Sequence, residues 1–373
     1  MKATRKPNGN ALTADMFIKE NQHQKSVRSA KNHRDGIWAK VSLDKYLTNY
    51  FMQLWDLKTQ ITAAIKEQGG FVSCHAHLDK AFYITKEGLN KSMVDMEVKW
   101  HMSDDIKRNS TPEEVETRIK TGLDIFINQG SKLCSSFVDA YDAVGHKNID
   151  AALKVKEEYK DKIDFKIVTQ PLGGLNDKAA RDLYEAITAK ADIAGGLPSK
   201  DRPNDDENYD HLFGVAKNLN KPIHVHIDQE NNPNERDTEK LINYTIKHGY
   251  QGRVTAVHAI SVSAQPKEYQ KEIYKKMADA GISVIVCPAA ALSMKQLEFT
   301  APLHNSIANV PEMLDAGILV GLGADNIHDF YQPFIDGDMY TELRMLMEAC
   351  RYYNFDELVK IATINGETIL NLK

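Results

Sequence analysis

Cysteine is scarce. Cys74, Cys134, Cys287 and Cys350 are the only four in 373 residues, they lie far apart, and none forms a CxxC pair. That spacing argues against a disulfide framework and against a thiolate zinc site, and it fits reduced thiols in a cytoplasm. No apolar run approaches the ~18 residues that would read as a membrane span. Residues 1–40 are polar and basic and lack the apolar centre of a secretory leader, so a cytoplasmic location is expected. No basic face or tail stands out from a net charge of −5, which argues against nucleic acid as a partner. Low-complexity stretches are missing as well. So is a glycine-rich phosphate turn after the first apolar run, which an open dinucleotide-binding sheet would want.

What is present is a repeated alternation. Short apolar, β-branched runs fall at Phe71–Cys74, Lys132–Val138, Phe165–Thr169, Ile193–Leu197, Ile223–Ile227, Val254–Val257, Ser283–Cys287 and Ile318–Leu322. The stretches between them have helical spacing, from Pro112–Asn128 through Pro311–Ala316, and Asp338–Tyr353 and Asp356–Leu370 follow the eighth run. Thr111-Pro112-Glu113-Glu114 is a helix start, and Gly249, Gly281 and Gly317 sit where helices stop. Eight strands alternating with helices pair in parallel through right-handed crossovers and close into an α/β (β/α)8 TIM barrel. Ahead of it, Leu43 to Glu67 carries Tyr46, Tyr50, Phe51, Leu54, Leu57, Ile61 and Ile65 at helical spacing. The expected organisation is an arm and capping helix over 1–68 and the barrel over 69–373. The arm suggests a subunit contact, and a homo-oligomer is expected. The long connection from Phe82 to Ser110 reads equally as a lid or as an exterior insertion.

In such a barrel the chemistry stands at the C-terminal ends of the strands. The first run ends in His75-Ala76-His77, two imidazoles on one face by strand alternation. The fifth ends in His226, followed by Asp228 and Gln229. His224 faces the same side, but His226 is favoured as nearer the strand end. The sixth ends in His258, and the eighth in Ala324-Asp325-Asn326. Four of the thirteen histidines and one aspartate therefore converge on one rim. His75, His77, His226 and Asp325 make a ligand set for one divalent ion, Zn²⁺ or Fe²⁺, with a position left for water. His258 would polarise the substrate, and Asp325 would carry the proton from water to the leaving amine.

These residues resemble the amidohydrolase superfamily, in the branch with cytosine deaminase and N-isopropylammelide isopropylaminohydrolase. The resemblance runs from Phe71 to Lys373. It rests on His75-Ala76-His77-Leu78-Asp79-Lys80, on Tyr250 to Ala259, and on Gly323-Ala324-Asp325-Asn326 through Phe334 followed by Gly337-Asp338-Met339. It implies one metal at the positions named above, with His258 beside it, and no carboxylated lysine, since the fourth run carries none. It also shows departures. Gln229 stands where cytosine deaminases have a proton-shuttling glutamate, and a glutamine cannot titrate. Asp228 stands where the isopropylaminohydrolases have a histidine, and it could shuttle. Phe137 replaces a histidine, and Leu172 stands where a substrate-reading glutamine is expected, with Gln170 close by. Members usually carry a small β-sandwich built from both chain ends; here none is expected. Lys80, Leu172, Gln170 and Asn326 are the expected substrate contacts. The function that follows is metal-dependent hydrolysis of a C–N bond in a small cyclic or heteroaromatic amine or amide. The departures leave a second reading open, a non-catalytic metal- or ligand-binding barrel.

Overall fold

The structure is a computed structural model that describes residues 55–94, 96–230, 232–294 and 307–372. The elements that follow lie in the compact unit Lys58–Lys373. Eight parallel strands run in sequence order: β1 Val72–Ser73, β2 Leu133–Asp139, β3 Asp164–Gln170, β4 Ala194–Gly196, β5 Ile223–Ile227, β6 Val254–His258, β7 Ser283–Val286 and β8 Val320–Leu322. They form two ladders, β1-β2-β3 and β4 to β8. Single bridges join them at both seams, Val168 to Ile193 between β3 and β4, and Ala76 to Asp325 just beyond β1 and β8. The seams are held by Thr169 N–H to Ile193 O at 3.3 Å and Cys74 N–H to Leu322 O at 2.8 Å. The ring is the expected (β/α)8 barrel.

Both faces of such a sheet are covered, so its strands read as continuous apolar runs, and every residue of β2 and β5 is buried. The helices between them begin where the sequence provides caps. Thr111 accepts from Glu114 N–H at 3.3 Å, and the Glu114 carboxylate accepts from Thr111 N–H at 2.9 Å, which starts the helix Pro112–Asn128. Gly70 ends the helix Leu57–Glu67 at φ +98, and a Cβ there would stand 1.8 Å from Gly130 O. Ile369 and Leu370 of the last helix join Val72, Cys74, Phe137 and Val257 in one core.

Two expectations need correction. The stretch Asp356–Leu370 is two helices, Phe355–Ala362 and Ile364–Leu370, because Thr363 breaks the run at φ −136, ψ −96. The helix expected to reach Tyr353 stops at Cys350, where Arg351 turns left-handed at φ 51. The Phe82–Ser110 connection contains two short helices, Met96–Lys99 and Asp104–Asn109. Of the Leu43–Glu67 helix, Leu57–Glu67 is present, with Ile61 and Ile65 buried. Its residues 43–54 and the arm lie outside the described residues. Among the described residues every strand belongs to the barrel.

Asp201, in the turn after β4, is nearly inaccessible and accepts from Leu175 N–H at 2.7 Å. Burial pushes its carboxyl up to about 6. A raised carboxyl binds its proton more tightly folded than unfolded. The ionised form therefore costs stability above about pH 6, and that cost fades as pH falls towards 4. Asp201→Asn keeps an acceptor for Leu175 and should gain on the order of 1–3 kcal/mol at pH 8, the upper end corresponding to the whole rise of the carboxyl to about 6. Urea midpoints should converge by about pH 4; a gain that does not vary with pH would refute this origin.

Candidate active site

The ring closure places the first half of the site. His75 O accepts from both Ala324 N–H and Asp325 N–H at 3.0 Å, which ties the end of β1 to the end of β8. Across that seam the Nε2 atoms of His75 and His77 approach Asp325 Oδ1 at 3.3 and 3.4 Å. β5 delivers His226, whose Nε2 lies 3.4 Å from His77 Nε2. β6 ends in His258, paired in register with Ile227, with its Nε2 3.9 Å from Asp325 Oδ2. All five side chains are buried. His258 and Asp325 adopt left-handed backbone at φ 78 and 64. Such strain costs on the order of 1–3 kcal/mol per non-glycine residue and collects at functional sites.

Burial, with Lys80 nearby, lowers His77 to about 3, and burial lowers His258 to about 4. Burial and the neighbouring imidazoles hold His226 well below its ordinary value. Burial alone would raise the Asp325 carboxyl, but His75 and His77 against it, with His258 close, hold it well below the carboxylate range. At neutral pH the imidazoles of His77, His226 and His258 are thus unprotonated beside an anionic carboxylate. Nδ1 and Nε2 of His75, and Nδ1 of His77, His226 and His258, find no hydrogen-bond partner among the described residues. Two imidazole nitrogens 3.4 Å apart can share at most one proton, so these lone pairs call for a cation.

Spacing supports the same conclusion. Ligand atoms of His75, His77 and His226, and those of His75, His258 and Asp325, lie within 4.8 Å of one another. Donors about 2.0–2.1 Å from one tetrahedral ion stand about 3.3–3.4 Å apart, the separation already present here. The residues fit a divalent metal. His224 is also buried and lowered to about 3 by burial, but it does not join these groups. Phe137 packs its ring 4.4 Å from His226 and 4.9 Å from His75, so the residue in place of a histidine braces the imidazoles.

A pocket opens above the cluster. Of the expected substrate contacts, Lys80, Gln170, Leu172 and Asn326 all line it, as does Gln229. Lys80 is buried with its Nζ 3.4 Å from Asp139 Oδ1. Asn326 is fixed by its amide N–H to Asp329 at 2.5 Å. Gln170 Oε1 and Gln229 Nε2 are buried and unpartnered among the described residues. Asp228 is placed elsewhere. Its two carboxylate oxygens accept from Asp237 N–H at 3.0 Å, from Thr238 N–H at 3.1 Å and from the Thr238 hydroxyl. It caps the helix Asp237–Lys247 and does not line the pocket, so its geometry is that of a structural clamp, not of a proton carrier.

A match to the family model described as "Amidohydrolase family" covers residues 69–373. The chain belongs to the amidohydrolase family. Among curated relatives, this amidohydrolase is 36% identical over 262 residues to an uncharacterized protein of Haemophilus influenzae, covering 69% of this chain and 95% of that one. It is 29% identical over 282 residues to N-isopropylammelide isopropyl amidohydrolase of Pseudomonas sp., covering 72% of this chain and 65% of that enzyme, just under two thirds. Among solved structures, 5-methylcytosine deaminase from Klebsiella pneumoniae shares the fold at a TM-score of 0.75 and 24% identity, over 81% of this chain and 74% of that one. The amidohydrolase is accordingly a hydrolase acting on carbon–nitrogen bonds other than peptide bonds.

The structure adds pocket residues that spacing could not assign. Trp100, from the Phe82–Ser110 connection, lines the pocket and carries Lys200 Nζ 4.6 Å from its ring centroid. That connection therefore contributes to the site wall. Tyr331 and Gln332, which follow the Asp325 motif, line it too. Lys107 has no sequence signal at all, yet it is fully buried with Nζ 2.8 Å from Asp139 Oδ2, so one carboxylate holds two lysines.

Proposed function

We propose that this amidohydrolase uses one divalent ion, zinc or iron, to release ammonia or an amine from a small cyclic or heteroaromatic amine or amide. The convergence of His75, His77, His226, His258 and Asp325 carries the reading. An ion held there supplies a water activated as a nucleophile near neutral pH. The protein's own groups do the rest. Asp325, kept anionic, takes a proton from the attacking water and hands it to the departing nitrogen. His258, kept neutral, offers a hydrogen bond to the atom on which charge develops. Lys80 presents a fixed positive charge to an electron-rich edge of the ring. Gln229 orients without titrating, and the walls exclude water.

The test is metal analysis with ammonia and amine release across a panel of heteroaromatic amines. About one ion per chain is expected, and a chelator should abolish turnover and zinc or ferrous ion restore it. A bound ion stabilises only the folded state, by about 4 kcal/mol when present at a thousand times its dissociation constant, so chelation should also lower the unfolding temperature. Full activity after complete metal removal would sink the proposal.

A further inference from the structure

The cavity at the histidine cluster is small, about 30 Å³, or room for about two water molecules. A single aromatic ring occupies a cavity on the order of 150 Å³. A substituted heterocycle therefore extends beyond it. The same short segments of chain line a second cavity of about 520 Å³, within the roughly 300–1,000 Å³ of ligand sites. Consecutive residues alternate between the two. Lys99 faces the second cavity and Trp100 the first; Ser293 faces the second and Met294 the first; Pro333 faces the second and Gln332 the first. Tyr331 lines both.

Two further observations point to a ligand spanning the two. Tyr331 is 8% exposed, and its phenol oxygen has no hydrogen-bond partner among the described residues, a state that is unfavourable until something bonds it. The second cavity is rimmed by Leu89, Val94 and Pro333, and by Met93 and Phe334, which are 71% and 83% exposed. Large apolar side chains left this open beside a cavity mark a surface that something covers.

The geometry points to one bipartite substrate site: a polar ring at the histidine cluster, an apolar substituent of the same molecule among Leu89, Met93, Val94, Pro333 and Phe334, and the Tyr331 phenol bonding the polar junction between them. The inference rests on the C–N hydrolase reading and narrows its substrate to heterocycles bearing an alkyl or aryl group. Ser293 Oγ donates to Gln332 Oε1 at 2.6 Å and Lys99 Nζ to Tyr331 O at 3.2 Å, so the frame around the phenol is held.

The test uses full-length, metal-loaded protein and 4-amino-2-oxopyrimidines carrying hydrogen, methyl, butyl or benzyl. One series bears the tail on ring carbon 5, the other on the exocyclic nitrogen. In at least one series kcat/KM should rise roughly fourfold for each methylene that enters the apolar cavity. Phe334→Asp, at an exposed position where folding is not at stake, should cut the butyl-to-hydrogen ratio of kcat/KM at least about tenfold. Equal kcat/KM along both series, or an unchanged ratio in Phe334→Asp, overturns the inference. If no compound is turned over, the C–N hydrolase reading fails for this substrate class, and calorimetric binding of the same compounds decides the second cavity. Affinity that grows with the tail and is lost in Phe334→Asp supports it; affinity that ignores the tail, or no binding, overturns it.

Discussion

Asp325→Asn should lower kcat by about 10²- to 10⁴-fold, the range that a positioned general acid–base contributes. The amide keeps the shape of the side chain, so the seam that ties β8 to His75 through backbone N–H groups is retained. What is lost is the ability to take and release a proton, together with the anionic charge that balances the cation. His75 and His77 lie 3.3 and 3.4 Å from the carboxylate, and His258 3.9 Å, so no other group in the cluster is both anionic and within reach. The measurement is steady-state ammonia or amine release beside metal content. Activity within about tenfold of the parent at full metal occupancy would remove Asp325 from the proton-transfer role.

The second large effect is on stability. Asp139 ends β2 and holds Lys80 at 3.4 Å through Oδ1 and Lys107 at 2.8 Å through Oδ2, all three buried. Burial by itself would raise the Asp139 carboxyl, but Lys107 and Lys80 bring it down to about 2. Asp139→Leu strands two ammonium groups away from water. Breaking a buried pair in this way costs about 3–5 kcal/mol, because the partner is left uncompensated. Urea unfolding measures it. Adding Lys107→Met to Asp139→Leu removes one stranded charge and should recover part of the loss, a coupling that a double-mutant cycle reads directly. Strictly additive losses would show that the two residues do not depend on each other. Lys107 also sits on the helix Asp104–Asn109, in the connection that brings Trp100 to the pocket. The same substitution should therefore weaken substrate binding as well as the fold.

Much of the barrel was legible from local pattern. Ile223–Ile227 coincides with β5, Pro112–Asn128 coincides with its helix, and the other strands fall within a few residues of their runs. Burial on both sheet faces forces continuous apolar runs, and caps such as Thr111 announce helix starts. The break at Thr363 was not legible, because Asp356–Leu370 keeps a helical pattern through a residue whose backbone departs from it. Asp228 shows the same limit at the site. Its position two residues after His226 suggests a proton carrier, but a left-handed turn at φ 47 aims its carboxylate at the helix Asp237–Lys247.

By itself the sequence determined the alternation, and with it the strand ends where His75, His77, His226, His258 and Asp325 stand. Strand period and strand number alone bring these residues to one rim. Only the tertiary structure decided how they meet. The seam bridge from Ala76 to Asp325 sets the carboxylate against the imidazoles, and burial keeps His77 and His258 neutral. Only the tertiary structure, too, brought Trp100 and Tyr331 to the pocket and Lys107 to the Asp139 carboxylate, from connections with no periodicity of their own. The physical reason is that spacing along a chain reports which face a residue takes on its own element. Which residue from a distant loop fills the space above that face is settled by packing and by charge pairing, and neither leaves a regular mark in the sequence.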